Sequence, residues 1–427
     1  MNISTPTKKS GGAYGVIYRL HSVAGVLVAP LLVIAALSGF LYAFAPSLEN
    51  FVYRDAITAS STEPAQPLEE QIEAAQAVHP DLQLVAVESF EDPAKTTRVL
   101  FDDPALESSS YRQAVFVDPG SLEITGDLVQ YGSSRALPLR TRISEGHRQL
   151  WLGEPGRIYS EVAASWLGIL ALAGGWLWWA KRKKKRSLHS ALGIWLLPGF
   201  LFLTVTGLTW SSMAGGNIAN LRAELDWTQP SVSTDEHAHH GHHSHESQAG
   251  ELSSQESIDT VAATAREAGL SGIIEIVPPA EEGAAWTVTE MREEWKLSND
   301  AIAVDGETGE IVDRVDHADW PLAAKLSAWL IQLHMGTLFG WINQLVLGVI
   351  ALGLLAVIVM GYRMWWKRRR FPAAGQWRRA RPGVLAGIIV FLLAYSVMAP
   401  MFGISLVAFL AIDAVIKNVA TWKSKSE

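Results

Sequence analysis

Two phrases of this chain nearly repeat each other. RLHSVAGVLVAP at 19–30 and SLHSALGIWLLP at 187–198 each place Gly four residues and Pro nine residues after a histidine. A second pair, HRQLWLGEPGR from His147 and HMGTLFGWINQ from His334, places glycines six and twenty-seven residues after each histidine. Imidazole binds transition metals through either ring nitrogen and changes charge near neutral pH, so metal ligation and proton transfer are the chemistries to weigh. A lone histidine at a helix mouth commonly does no more than bond water or a lipid headgroup. Four at matched positions, each with its glycine, point further. Two imidazoles that face each other can take the fifth and sixth positions of a haem iron. That pairs His21 with His189 and His147 with His334, for two b-type haems; a di-metal site or a proton relay would use the same residues. Gly25 and Gly193, one helical turn from His21 and His189, let a flat macrocycle approach the backbone, although close helix packing also calls for such glycines.

These residues need elements to hold them, and the elements read as membrane spans. Of 427 residues, 49% are hydrophobic and 17 are Trp. Four apolar runs, 23–45, 162–180, 192–213 and 341–364, are long enough to cross a hydrocarbon core of about 30 Å as helices. A fifth, 383–416, has the length for two short spans and is interrupted near Pro400. The net charge of −8 conceals a segregation. Lys and Arg cluster in 181–186, 365–370, 377–382 and near both ends, while acidic residues dominate the polar regions 47–157 and 214–325. Basic short loops stay in the cytoplasm, which predicts both termini inside and both polar regions outside. The first span reads as an uncleaved anchor, since proline directly follows its small-x-small site. The chain has no cysteine, which excludes disulfides, thiolate catalysis, iron–sulfur ligation and covalent haem attachment.

The repeat also orders the chain. Its first part is offset by 168 residues, from His21 to His189 and from Ser38-Gly39 to Thr206-Gly207. Its later part is offset by 187, from His147 to His334 and from FVDPGSLEITGDL at 116–128 to AVDGETGEIVDRV at 303–315. The difference of 19 marks an insertion in the second copy. The expected architecture is two copies of span–outer domain–span in one orientation, about an axis along the membrane normal, followed by a C-terminal helical hairpin. On an unbroken helix, eighteen residues make five turns, so His21, Gly25 and Gly39 share a stripe, as do His189, Gly193 and Gly207. Each outer region reads as α+β. A helical segment (LEEQIEAAQAVHP; SSQESIDTVAATAREAGL) precedes short alternating strands broken by Asp-Pro-Gly and Asp-Gly turns. Neither region groups a nucleophile with a base, so packing or binding is their expected work.

Taken together, YRLHSVAGVL with LSGFLYAF, GHRQLWLGEPGR with GGWLWWAKR, LHSALGIWLLP with VTGLTWS, and LHMGTLFGWINQLVLG with MGYRMWWKRR resemble the PepSY-associated transmembrane family. The resemblance runs to about residue 370. It implies a bacterial inner-membrane protein linked to iron uptake, some relatives being similar to haem-containing ferric-siderophore reductases. It further implies an α-helical membrane core with two small PepSY-like α+β extracytoplasmic domains. His21, His147, His189 and His334 would then be haem ligands. The expected divisions are 1–46 (tail and first span), 47–157 (first outer domain), 158–186 (second span and basic loop) and 187–213 (third span). They continue with 214–333 (second outer domain), 334–370 (fourth span) and 371–427 (hairpin and tail).

Other signals compete. DEHAHHGHHSHE at 235–246 carries His237, His239, His240, His242, His243 and His245. Such a run binds divalent metal without a fixed fold, and its spacing matches no structural zinc pattern. It reads equally as a metal-capturing loop and as a neutral linker. The Trp clusters beside the basic runs read as interfacial anchors, and the basic runs as topology signals that bind lipid, not nucleic acid. Asp413 stands open between an interfacial cap and a functional group. No Gly-x-Gly-x-x-Gly follows a strand, so electrons must come from a quinol, free reduced flavin or a cytosolic flavoprotein. The expected function is a haem-dependent oxidoreductase that carries electrons across the membrane to a ferric siderophore. Ferric iron is held by hard oxygen ligands more tightly than ferrous iron, so reduction releases it. The alternative is a metal transporter or metal-binding accessory protein that uses the His-rich loop without haem; a third reading is an assembly module.

Overall fold

Pro30 lies inside the first helix, α1 (Gly12–Ala43), without breaking it. A proline ring leaves the carbonyl one turn earlier without its amide partner. That oxygen belongs to Val26, and the Tyr362 hydroxyl donates to it at 2.9 Å. His21, expected at a helix mouth, stands in the third turn of α1.

The computed structural model describes residues 12–180, 187–234, 257–281, 283–368 and 382–426. The His-rich stretch and the 181–186 basic cluster lie outside the described residues. After α1 come α2 (Ala45–Val52), α3 (Arg54–Ile57) and α4 (Leu68–Gln76), then β1 (Gln83–Phe90), β2 (Thr97–Asp102), β3 (Tyr111–Val117) and β4 (Ile124–Tyr131). Next are α5 (Pro138–Gln149), α6 (Glu154–Ala180), α7 (Leu188–Trp195), α8 (Leu197–Leu208), α9 (Met213–Glu224) and α10 (Ser257–Glu267). The strands β5 (Ile273–Val277), β6 (Trp286–Glu290), β7 (Ala301–Val304) and β8 (Ile311–Val315) follow. The chain closes with α11 (Leu322–Met335), α12 (Gly340–Arg368), α13 (Pro382–Met398) and α14 (Pro400–Ser426).

These elements form two compact units: Met1–Ala43, Ser144–Leu225 and Leu345–Glu427 make one, Phe44–Ile143 and Asp226–Gln344 the other. The first is helical and of membrane type. Among the described residues, three helices are long and apolar enough to cross a bilayer, at Ala13–Ala43, Glu154–Ala180 and Gly340–Arg368. A fourth span exists only if α7 and α8, bent by 55° at their junction, are counted as one. The third span expected at 192–213 is therefore a broken helix, and the straight stripe from His189 through Gly193 to Gly207 does not form. Within this unit α1, α6 and α8 share a core of Val23, Leu32, Trp166, Leu170, Phe200 and Leu208. Arg19 ties α14 to α1, its Nη2 and Nε donating to Asp413 at 2.6 and 3.2 Å. Asp413 is thus an ion-pair partner, and the fork geometry makes the clasp directional.

The second unit corrects the expectation of two separate outer domains. Among the described residues, the eight strands form a single antiparallel sheet in the order β4-β3-β2-β1-β5-β6-β7-β8. The seam is the pairing of β1 with β5, in register from Val87 opposite Ile276 to Phe90 opposite Ile273. Either four-stranded half alone would leave its edge strand with unpaired amides and carbonyls, and the seam satisfies both. One face is covered by α4 and α10, which contribute Ile72, Ala75, Ile258 and Val261 to a common core with Val87, Val99, Ile274 and Ile276. Asp259 of α10 accepts from the first two amides of α4, Leu68 and Glu69, at 2.7 and 3.2 Å. The helices therefore hold each other as well as the sheet. The β3–β4 and β7–β8 connections share a design. Asp118 and Asp305 each start a turn, and the residue closing it is left-handed in both: Leu122 at φ 61° and Gly309 at φ 73°.

The seam carries a conflict on its other face. Glu88 of β1 stands directly opposite Glu275 of β5, and Arg98 opposite Glu88 on the far side. Burial, then the Glu88 carboxylate, push the Glu275 carboxyl up from 4.5 to about 7. A carboxyl raised on folding binds its proton more tightly in the folded state, so stability falls as pH climbs from about 4.5 to about 7 and then levels off. Glu275→Gln mimics the protonated form. In the full chain it should slow hydrogen exchange of the β1 and β5 amides at pH 8, with the gain vanishing near pH 4.5. Equal protection at pH 8 would show that this carboxylate does not strain the seam.

Candidate functional site

His21 and His189 come together in the helical unit. His21 of α1 and His189 of α7 have ring centroids 6.2 Å apart with planes at 67°. Each ring is fixed in the same way. His21 Nδ1 meets the Leu170 carbonyl on α6 at 3.1 Å, and His189 Nδ1 meets the Val357 carbonyl on α12 at 2.9 Å. A carbonyl only accepts, so both Nδ1 atoms carry the proton and both Nε2 atoms keep a free lone pair. Metal-ligating histidines are oriented by this kind of outer partner, which also raises the basicity of the ligating nitrogen.

Glycine explains how the rings reach a helix backbone. In a helix the side chain at i+4 overhangs the carbonyl of residue i. Four residues beyond Leu170 and Val357 stand Gly174 and Gly361. A Cβ at Gly174 would lie 3.1 Å from His21 Cε1, and one at Gly361 3.6 Å from His189 Cε1. The glycines that the sequence places twenty-seven residues after His147 and His334 therefore serve His21 and His189. Leu170 and Val357 escaped sequence reasoning, because a backbone carbonyl has no residue-type signature. Their separation of 187 residues, the later repeat offset, was the available signal.

Both rings line a cavity of about 450 Å³. Its walls are mostly apolar, with Leu167, Leu170, Phe200 and Ile358 among them, and Tyr18, Trp365 and Arg368 also border it. Cavities of this size and character accept cofactor-sized ligands. Gly25 and Gly193 are both in the lining. A Cβ at Gly193 would meet nothing within 4 Å, and one at Gly25 only Leu170 Cδ2 at 3.9 Å. Gly193 leaves open space one turn from His189, while a side chain at Gly25 would begin to touch α6. The spacing of the rings passes a second check. Two imidazoles sharing a metal about 2 Å from each nitrogen, with ring centres about 1.1 Å behind, put their centroids roughly 6.2 Å apart. The residues present fit a metal-centred planar cofactor gripped from both sides.

His147 and His334 lie in different units. His147, on α5, belongs to the helical unit, where the Ser38-Gly39 pair of α1 is its seat. Ser38 Oγ donates to the Ile34 carbonyl at 2.9 Å, so the Ser38 oxygen accepts from His147 Nδ1 at 3.0 Å. A Cβ at Gly39 would lie 3.0 Å from His147 Cε1, and Tyr42 stacks on the ring at 5.7 Å and 12°. Gly39 was expected on the His21 stripe; its close partner is His147. His334 occupies the last turn of α11 in the sheet unit, just before Gly336, which ends that helix at φ 77°. Among the described residues, no three His, Asp or Glu side chains converge as a metal cluster. The six histidines at 237–245 lie outside those residues.

Two comparisons complete the picture. The family model described as the PepSY-associated TM region matches residues 18–368. No curated protein matches the chain significantly.

Proposed function

The chain belongs to the PepSY-associated transmembrane family, and from that premise we propose that it is a di-haem b electron-transfer protein. It sits in a bacterial inner membrane and reduces an extracytoplasmic ferric siderophore. The observation that carries this reading is the inner pair: two imidazoles with centroids 6.2 Å apart on a cavity wall, each with Nδ1 committed to a backbone carbonyl. His21 and His189 would hold the inner haem, and the repeat in the sequence assigns His147 and His334 to the other. Bound there, haem supplies a one-electron ferric–ferrous couple.

The remaining work falls to the chain itself. The Leu170 and Val357 carbonyls hold both Nε2 lone pairs unprotonated, and Gly174 and Gly361 keep the rings against the helices. Apolar walls from Leu167, Phe200 and Ile358 exclude water, which sets the local dielectric and hence the redox potential. Arg19, two residues before His21, is paired with Asp413. The donor in this reading is a quinol, free reduced flavin or a cytosolic flavoprotein.

The deciding measurement is a reduced-minus-oxidised spectrum of the purified chain with a pyridine haemochrome assay, expected to give about two haems per chain. A colourless preparation from haem-replete cells would overturn the reading in favour of metal transport without haem. In that case deletion of 235–246 should abolish function, whereas here it should leave electron transfer intact.

A further inference from the structure

The loop between β6 and β7 holds two apolar side chains out of the fold by deliberate means. Trp295 is 61% exposed and its backbone is left-handed at φ 65°, a conformation that costs a bulky residue free energy. The loop around it is pinned on all sides. Trp295 N donates to the Leu338 carbonyl at 2.7 Å, Ile273 N to Glu293 Oε1 at 2.5 Å, Lys296 Nζ to the Ser271 carbonyl at 2.6 Å and Trp329 Nε1 to the Leu297 carbonyl at 2.9 Å. The Trp295 ring rests on Phe339 with centroids 5.0 Å apart. A loop this firmly held could have buried its tryptophan; it presents Trp295 and Leu297 outward instead.

The patch continues onto α11, where Leu322 and Leu326, one turn apart, are exposed. Trp329, one further turn along the same face, joins this stripe to the loop through its bond to Leu297. Its occupant follows from what comes next in the chain. Leu338 and Phe339, which anchor Trp295, immediately precede Gly340, the first residue of a helix long and apolar enough to span a membrane. Trp341 in the opening turn of that helix is also exposed. The patch is therefore within a few residues of where the chain enters lipid. Tryptophan is enriched at that depth because its ring is amphipathic, and an apolar helical stripe beside it suits a helix lying in the interface plane.

We propose that Trp295, Leu297 and the Leu322–Leu326 stripe of α11 form a lipid-binding platform that seats the sheet unit in the headgroup layer. Since α11 carries His334 in its last turn, the platform would also fix that histidine at the membrane rim. The proposal does not depend on haem.

The absence of cysteine from the chain makes a clean test possible. The full chain in lipid nanodiscs carries one nitroxide, at Leu297→Cys or at Leu326→Cys, with Glu307→Cys in the exposed β7–β8 turn as the aqueous reference. Collision with oxygen and with a water-soluble nickel chelate is compared by electron paramagnetic resonance. Both platform positions are expected to favour oxygen several-fold over the reference. Parity with the Glu307 site would mean that the patch faces water. Protection from both relaxers would mean that protein covers it. Either result overturns the proposal. Two labelled positions on separate elements guard against a local folding defect, since Leu326→Cys leaves the Trp295–Phe339 contact in place.

Discussion

His21→Ala is expected to remove about half of the haem bound per chain, and His189→Ala the same half. The double variant should lose no more than either single one, because in the proposed arrangement the two rings share one metal and their effects do not add. His147→Ala should remove the other half, and joined to His21→Ala it should leave none. The cavity supplies an independent arm. A leucine at Gly193 would project into the open space beside His189, where a Cβ meets nothing within 4 Å. Gly193→Leu should therefore exclude the macrocycle while both histidines stay in place, whereas Gly193→Ala should keep most of it. Haem per chain by pyridine haemochrome, with helix content by circular dichroism, separates loss of cofactor from loss of fold. Haem content that is unchanged by His189→Ala, or additive losses at His21 and His189, would break the pairing.

The largest effect on stability is expected at Glu88. Its side chain is fully buried, accepts from Gln130 Nε2 at 2.6 Å, and lies 3.7 and 3.5 Å from the guanidinium groups of Arg98 and Arg135. Arg98 has few alternatives, since burial already pulls its guanidinium down to about 10 while Glu88 resists that shift. Removing one partner of a buried ion pair leaves the other charge unpaired, at a cost of about 3–5 kcal/mol. Glu88→Ala should accordingly speed exchange of the β1 and β2 amides strongly. Glu88→Gln keeps an acceptor for Gln130 and should cost less. It also withdraws the negative charge that raises Glu275, so Glu88→Gln and Glu275→Gln should combine non-additively at pH 8. Additive effects would show that the seam carboxylates do not sense each other.

Much of the candidate site was legible because its signals are local. Run length marks a span, and fixed covalent spacing marks a repeat, so His21 and His189 could be paired before any fold was known. The carbonyls that hold the rings follow the other offset: Leu170 and Val357 are 187 apart, whereas His21 and His189 are 168 apart. What the sequence could not rank was which backbone carbonyl each ring would find. The second role of the glycines was hidden for the same reason, since Gly174 serves His21, 153 residues earlier in the chain (174 − 21).

By itself the sequence determined the membrane character, the mixture of helix and strand in the polar regions and the spacing of the four histidines. Tertiary structure decided whether proline breaks a helix and where a sheet ends. Pro30 and Pro198 each stand nine residues after a histidine, yet α1 continues and the α7–α8 pair bends by 55°. At the first, Tyr362 donates to the carbonyl that Pro30 leaves bare; at the position equivalent to Tyr362, 187 residues earlier, stands Gly175, which has no hydroxyl to offer. Gly353 on α12 lies against Leu196 at the bend, where the matching position of the first copy is filled by Trp166. The seam between β1 and β5 was likewise beyond reach. An edge strand looks the same in sequence whether water or another strand completes its hydrogen bonds, and only the arrival of the second half settles which.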